Sequence, residues 1–243
     1  MVAETVAAAH QETASAVPPI PTSTRTLRPP TQTATATVAG GASGSILTKH
    51  DDGSTLFEDQ RAGYELVVPA GWLPVRVNEP EFLDARKLPE TADPAIQNAL
   101  ASVATEDPDP FRLFVVDTQE GHIQYYLATT VKFLWDENDD MSLVDEADLV
   151  ELAQIMPSDI PGLQVLTAEL RDTSNGVRIG EITSLIPALA IDGSVFNILQ
   201  KQVFVQMRQG TLVITLSTIE EFIMKDAILD TFDAMIETLA ISN

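Results

Sequence analysis

The chain has 243 residues, with 36 acidic against 14 basic, so its formal net charge of −22 repels a nucleic-acid backbone from most of its surface. It contains no cysteine, which excludes disulfides, thiolate nucleophiles and cysteine-ligated metals. Its apolar share of 44% suffices for a buried core, yet no apolar run approaches the roughly 18 residues of a membrane span.

Residues 1–53 read as a disordered Thr/Ala/Pro-rich tether. Within the first 40, 25 are Thr, Ala, Pro or Ser, and such a segment buries too little surface to offset its ordering entropy. The first aromatic residue is Phe57, and the domain boundary is placed near Gly53. The proline- and hydroxyl-rich run 18–37 has the composition of a stalk. Residues 1–10 lack the basic and apolar regions of a signal peptide, so envelope anchoring would require an N-terminal signal missing from this sequence, and a cytoplasmic location stays open. The tether holds three bases and four acids, which leaves −21 on residues 54–243.

Within the domain, residues 54–77 are expected as two or three short strands, because Tyr64, Leu66 and Val68 alternate before Pro69-Ala70-Gly71 breaks the pattern. Asp93-Pro94 starts a helix, with Ile96, Leu100 and Val103 on one face. Residues 111–117 and 130–135 are β-branched and aromatic enough for strands. The stretch 119–128 between them is open to turn, loop or strand. Ser142 to Asp145 resembles a capping box for a helix running to about Ile155 and ended by Met156-Pro157. From Leu163 the period becomes two, giving four consecutive strands that reverse at Asn175-Gly176 and Gln209-Gly210. A closing helix over 225–239 sets Ile228, Phe232, Met235 and Leu239 on one stripe and acids on the other. These elements make an α+β fold, a central antiparallel sheet flanked by helices.

Gly63-Tyr64 running into Pro69-Ala70-Gly71-Trp72 resembles the opening strand signature of PsbP-like proteins. The hairpin at Gly210, the strand 212–218, Glu220-Glu221 and the helix with Leu229 to Phe232 are similar to that family's closing pattern. The resemblance covers most of residues 54–243 and implies an α/β/α sandwich. The family spans the extrinsic PsbP subunit of photosystem II, a Ran-GTPase-binding nuclear protein and bacterial envelope lipoproteins, mostly binding or assembly modules. The histidines needed for metal ligation have no counterparts here, and photosynthesis is not implied.

His122, in Gln119-Glu120-Gly121-His122, is the only imidazole in the domain and reads as a solvated turn residue. No nucleophile-elbow, phosphate-loop or zincin motif occurs, so no catalytic or cofactor-binding residue is assigned. Residues 133–170 carry ten acids and no base. Asp136, Glu137, Asp139 and Asp140 are the candidate partner-binding residues, facing a protein with a basic surface. The expected function is therefore a non-catalytic binding or assembly module, tethered outside the cytoplasm. The alternative is a calcium-type, cation-dependent hydrolase or calcium-binding domain using the acidic segment 136–151, although Met141 and Ala147 break the EF-hand pattern. Tyr64 and Trp72 read as packing residues, whereas adjacent Tyr125 and Tyr126, taken as strand neighbours, point to opposite faces and leave one for a partner.

Overall fold

A computed structural model describes residues 44–77, 79–139, 141–190 and 193–242, together with the backbone of the strand Ala36–Val38. Most of the expected tether lies outside the described residues. The folded part nevertheless begins upstream of the boundary placed at Gly53, because β1 (Ala36–Val38) pairs with β2 (Ser45–Lys49) and β2 pairs with β3 (Thr55–Asp59). Leu47 is buried on this strand. The Gly-rich approach hid a strand whose alternation is only five residues long.

β4 (Tyr64–Val68) completes a small antiparallel sheet with β14 (Ala240–Ile241), in the order β1-β2-β3-β4-β14. A seven-stranded sheet, antiparallel throughout, has the order β10-β11-β12-β13-β9-β6-β5. Its members are β5 (Trp72–Val75), β6 (Phe111–Asp117), β9 (Thr130–Asp136), β10 (Gln164–Asp172), β11 (Arg178–Leu189), β12 (Val195–Gln206) and β13 (Thr211–Ile219). The short hairpin of β7 (Ile123–Gln124) and β8 (Leu127–Ala128) occupies the stretch whose structure the sequence left open. The helices are α1 (Pro80–Ala85), α2 (Pro94–Ser102), α3 (Ala147–Asp159) and α4 (Lys225–Glu237), with a 3-10 turn at Pro89–Thr91. None of the described helices is long and apolar enough to cross a membrane.

Strand alternation divides the large sheet into two faces. On one, Leu113, Val115, Val131, Phe133, Ile214 and Leu216 join the small sheet's Phe57, Tyr64 and Leu66 and the α4 stripe of Ile228, Phe232 and Met235 in the largest core cluster, which also takes in Trp72. On the other, Phe114 and Val116 pack under α1 and α2 with Phe82, Ile96 and Leu100. Farther along that face α3 covers Ile182 and Phe204 with Leu149 and Met156. Helices thus lie on both faces of the central antiparallel sheet, the α+β arrangement expected.

Local signals explain most of the boundaries. The Asp93 carboxylate accepts from the Ala95 N–H at 2.8 Å, capping α2 ahead of Pro94. α3 starts later than the capping box implied: Ser142 does not cap it, and the Asp148 carboxylate instead accepts from the Ser142 N–H. Pro157 sits inside the last turn of α3 rather than ending it. Gly210 reverses β12 into β13 at φ +80°, and a Cβ there would lie 2.0 Å from the Asp136 carbonyl oxygen. Only glycine fits this turn.

The two sheets are locked by a bulge. Between β6 and β9 the register slips so that Phe111 faces Leu134 and Leu113 faces Phe133. The extra residue is Arg112. The slip sends Phe111 to the α1–α2 side and aims Arg112 at the small sheet. There Arg112 meets Asp59 through Nε to Oδ2 at 2.6 Å and Nη2 to Oδ1 at 3.0 Å, with both side chains fully buried. Removing one partner of such a pair strands a charge away from water. Arg112→Met is therefore expected to destabilise the fold by about 3–5 kcal/mol in urea melts; a loss below about 1 kcal/mol would mean that the pair contributes no more than a surface bridge.

Candidate ligand-binding site

Between the areas covered by α2 and α3, the helix-bearing face of the large sheet carries residues too small or too polar to complete a core. Thr130 and Lys132 on β9 and Ser217 on β13 stand there and line a cavity of about 290 Å³. Its walls come from Ala95 and Ala99 on α2, from Leu127 and Ala128 on β8, and from Ile198, Ile219 and Phe222. None of the lining residues is Asp or Glu, although the chain has 36 of them.

The β7–β8 hairpin arches over the mouth. Gln124 pairs with Leu127 across a two-residue loop, Tyr125-Tyr126, in which both residues are left-handed, with φ of 50° and 61°. Such a loop favours Asn-Gly, because a side chain beyond glycine costs about 1–2 kcal/mol in this conformation. The expectation of strand neighbours on opposite faces is thereby corrected: both tyrosines are turn residues and both are exposed. Tyr125 stacks on Phe196 at the start of β12, centroids 5.2 Å apart. Tyr126 lines the cavity and is 69% exposed.

His122 also lines the cavity. It is not a solvated turn residue: its Nδ1 lies 2.6 Å from Oδ2 of Asp117, whose side chain is fully buried, and its ring meets Phe222 edge-on. Burial pushes the Asp117 carboxyl up from its ordinary value, against the Gln119 N–H and the His122 ring, which pull it down. Among the described residues no hydroxyl hydrogen-bonds His122, whose ring nitrogen Nδ1 is taken by Asp117. Thr129 and Thr218 hydroxyls pair with each other at 2.9 Å. The buried Oε1 of Gln124, a residue of the cavity lining, has no hydrogen-bond partner among the described residues.

The acidic candidates lie elsewhere. Asp136 ends β9, whose other end supplies Thr130 and Lys132 to the cavity. The Asp136 carboxylate accepts from the Asn138 N–H at 2.9 Å, Glu137 lies 3.7 Å from Arg61, and the Asp139 carbonyl accepts from Thr211. Asp140 lies outside the described residues. Asp145 and Asp148 spend their carboxylates on the N–H groups of Ala147 and Ser142 at the head of α3. Among the described residues no three Asp, Glu or His side chains converge to hold a metal ion.

No family model and no curated protein matches the chain. Among solved structures it is similar to LpqN of Mycobacterium tuberculosis, a protein involved in cell envelope biogenesis, at 14% identity over 78% of this chain and 91% of that one, with a TM-score of 0.43. It is also similar to the Ran-binding protein Mog1p of Saccharomyces cerevisiae, at 14% identity over 74% of this chain and 91% of that one, with a TM-score of 0.40. Likeness of this degree is one of outline.

The Asp117–His122 pair gives a pH-dependent expectation. With its value raised in the fold, Asp117 favours folding when protonated and opposes it as pH rises through that value. His122 offsets the cost of the ionised form. In His122→Ala the loss of stability should thus be small at acid pH, where Asp117 is protonated, and grow to about 1–3 kcal/mol at neutral pH. Urea melts across that range check it; a deficit independent of pH would remove Asp117 as its cause.

Proposed function

We propose that this chain is a non-catalytic binding module, held outside the cytoplasm on its Thr/Pro-rich N-terminal segment, and that the apolar part of its ligand enters the cavity beneath Tyr125-Tyr126. The observation that carries the reading is the strained turn itself. Two consecutive left-handed tyrosines persist only where their surroundings over-determine them, and such strain collects at ligand clamps and binding sites. This one sits at a cavity mouth. Apolar side chains are exposed around the same end of the sheet: Leu189 and Val195 face each other beside Phe196, and Ile223 follows Phe222. Exposed apolar surface gathered beside a cavity marks an interaction site.

The hydrolase alternative has weaker support, because its carboxylates stand at the opposite end of β9 from the cavity. The acidic turn suits a second, steering contact with a basic protein partner, since rim charges act mainly on encounter.

Two measurements test this. Titration of the ¹⁵N-labelled protein with octan-1-ol should give saturable shifts confined to residues 124–127, 198 and 217–222, and Tyr126→Ala should weaken binding about fivefold. Absent or scattered shifts would overturn the cavity reading. For the turn, oligolysine should bind the parent more tightly at low salt than a variant with Asp136, Asp139 and Asp140 changed to Asn and Glu137 to Gln. Equal binding would remove those four residues from the contact surface.

A further inference from the structure

Lys132 stands apart from the other cations of the molecule. On β9 it pairs in register with Phe114 of β6 and Thr215 of β13, which puts its side chain on the helix-bearing face, at the floor of the cavity. It is half-buried. No carboxylate and no hydrogen-bond acceptor pairs with it among the described residues, whereas every other buried or half-buried Lys or Arg described there has an acidic partner. Arg76 has Glu81, Arg112 has Asp59, Arg171 and Lys201 share Glu181, and Lys225 has Glu220. Lys49, Arg86 and Arg208 also lack an ion pair among the described residues, but they are exposed to water.

In a chain of net charge −22, a half-buried ammonium without a counter-ion is the arrangement least expected from chance. The walls around it contain no carboxylate that would compete with an incoming anion. The remaining lining is apolar on α2 and β8 and hydroxyl-bearing at Thr130 and Ser217.

We propose that the cavity binds a small organic monoanion, a carboxylate on a short apolar body, with the carboxylate on Lys132 and the body between α2 and the Tyr126 hairpin. This inference rests on the cavity reading and names its ligand class. A single negative charge matches the one Lys or Arg among the lining residues, Lys132, since His122 is already engaged by Asp117; a phosphate dianion would bring a second charge without a partner. The volume, about 290 Å³, lies at the small end of ligand sites and suits a medium-length acyl or aryl acid.

The probes are octanoate, octan-1-ol and octylamine, titrated calorimetrically into the full chain at low and moderate salt. Octanoate should bind at least about tenfold more tightly than octan-1-ol, the gain expected of a charge-assisted contact, and octylamine more weakly than either. Lys132→Met should bring octanoate down to the octan-1-ol level without affecting octan-1-ol, and Lys132→Arg should restore part of the difference. The ranking of the three probes on the unaltered chain needs no variant, so the proposal stays testable if Lys132→Met fails to fold. Octanoate binding no more tightly than octan-1-ol, or an unchanged gain in folded Lys132→Met, would overturn the assignment of an anion to Lys132 while leaving the cavity reading intact. Failure of both octanoate and octan-1-ol to bind would overturn the cavity reading and this inference with it.

Discussion

The buried pair of Asp59 and Arg112 is the contact on which the arrangement of the two sheets depends. The Asp59 carboxylate does two things at once: it receives Arg112 from the large sheet, and it accepts the N–H groups of Arg61 and Ala62, fixing the turn that closes the β3–β4 hairpin. Arg112 in turn donates to the carbonyls of Pro108 and Asp109, tying down the loop before β6. Beneath the guanidinium lies Trp135, whose Nε1 donates to the Gln209 carbonyl. Four segments distant in sequence thus meet around one ion pair, and its solvation cost is offset because each polar atom named here has a partner. The bulge that frees Arg112 from the strand alternation is the feature that makes this geometry available.

With one face of the large sheet closed by the small sheet and α4, the other has, among the described residues, three helices to cover seven strands. α1 and α2 serve one end and α3 the other. The cavity is what the middle of that face becomes when Thr130, Lys132 and Ser217 replace the large apolar residues found on the closed face. Ligand space here is a consequence of incomplete coverage, shaped by a hairpin whose two tyrosines are both left-handed and whose Tyr125 stacks on Phe196. The Asp117–His122 pair braces the approach to that hairpin, linking the end of β6 to Phe222.

Much of the scaffold was legible from local pattern. The strand expected over 111–117 has the observed bounds. The Asn-Gly reversal, the Asp93 cap and the α4 stripe each follow from chemistry confined to a few neighbouring residues. The elements that were missed are short or poorly patterned: β2 follows a Gly-rich stretch, and α1 has only six residues. The capping-box spacing misplaces the start of α3 because the acids near its head have several N–H groups to choose from, and spacing alone does not say which they take.

The candidate site was far less legible. From the sequence His122 reads as a loop residue because its partner, Asp117, reads only as the end of a strand; their contact needs the chain to turn back at Gly121. The two tyrosines carried a signal, an aromatic pair where a tight turn would prefer Asn-Gly, but the turn itself had to be seen before the mismatch had meaning. The amino-acid sequence by itself determined the sign of the field, the antiparallel order of the closing strands and the amphipathic last helix, because those depend on composition and on interactions between near neighbours. Only the tertiary structure decided which cation would lack an acid and where the sheet would stay uncovered. Both depend on distances between segments far apart in the chain, and hydrophobic period and local propensity carry no record of those distances.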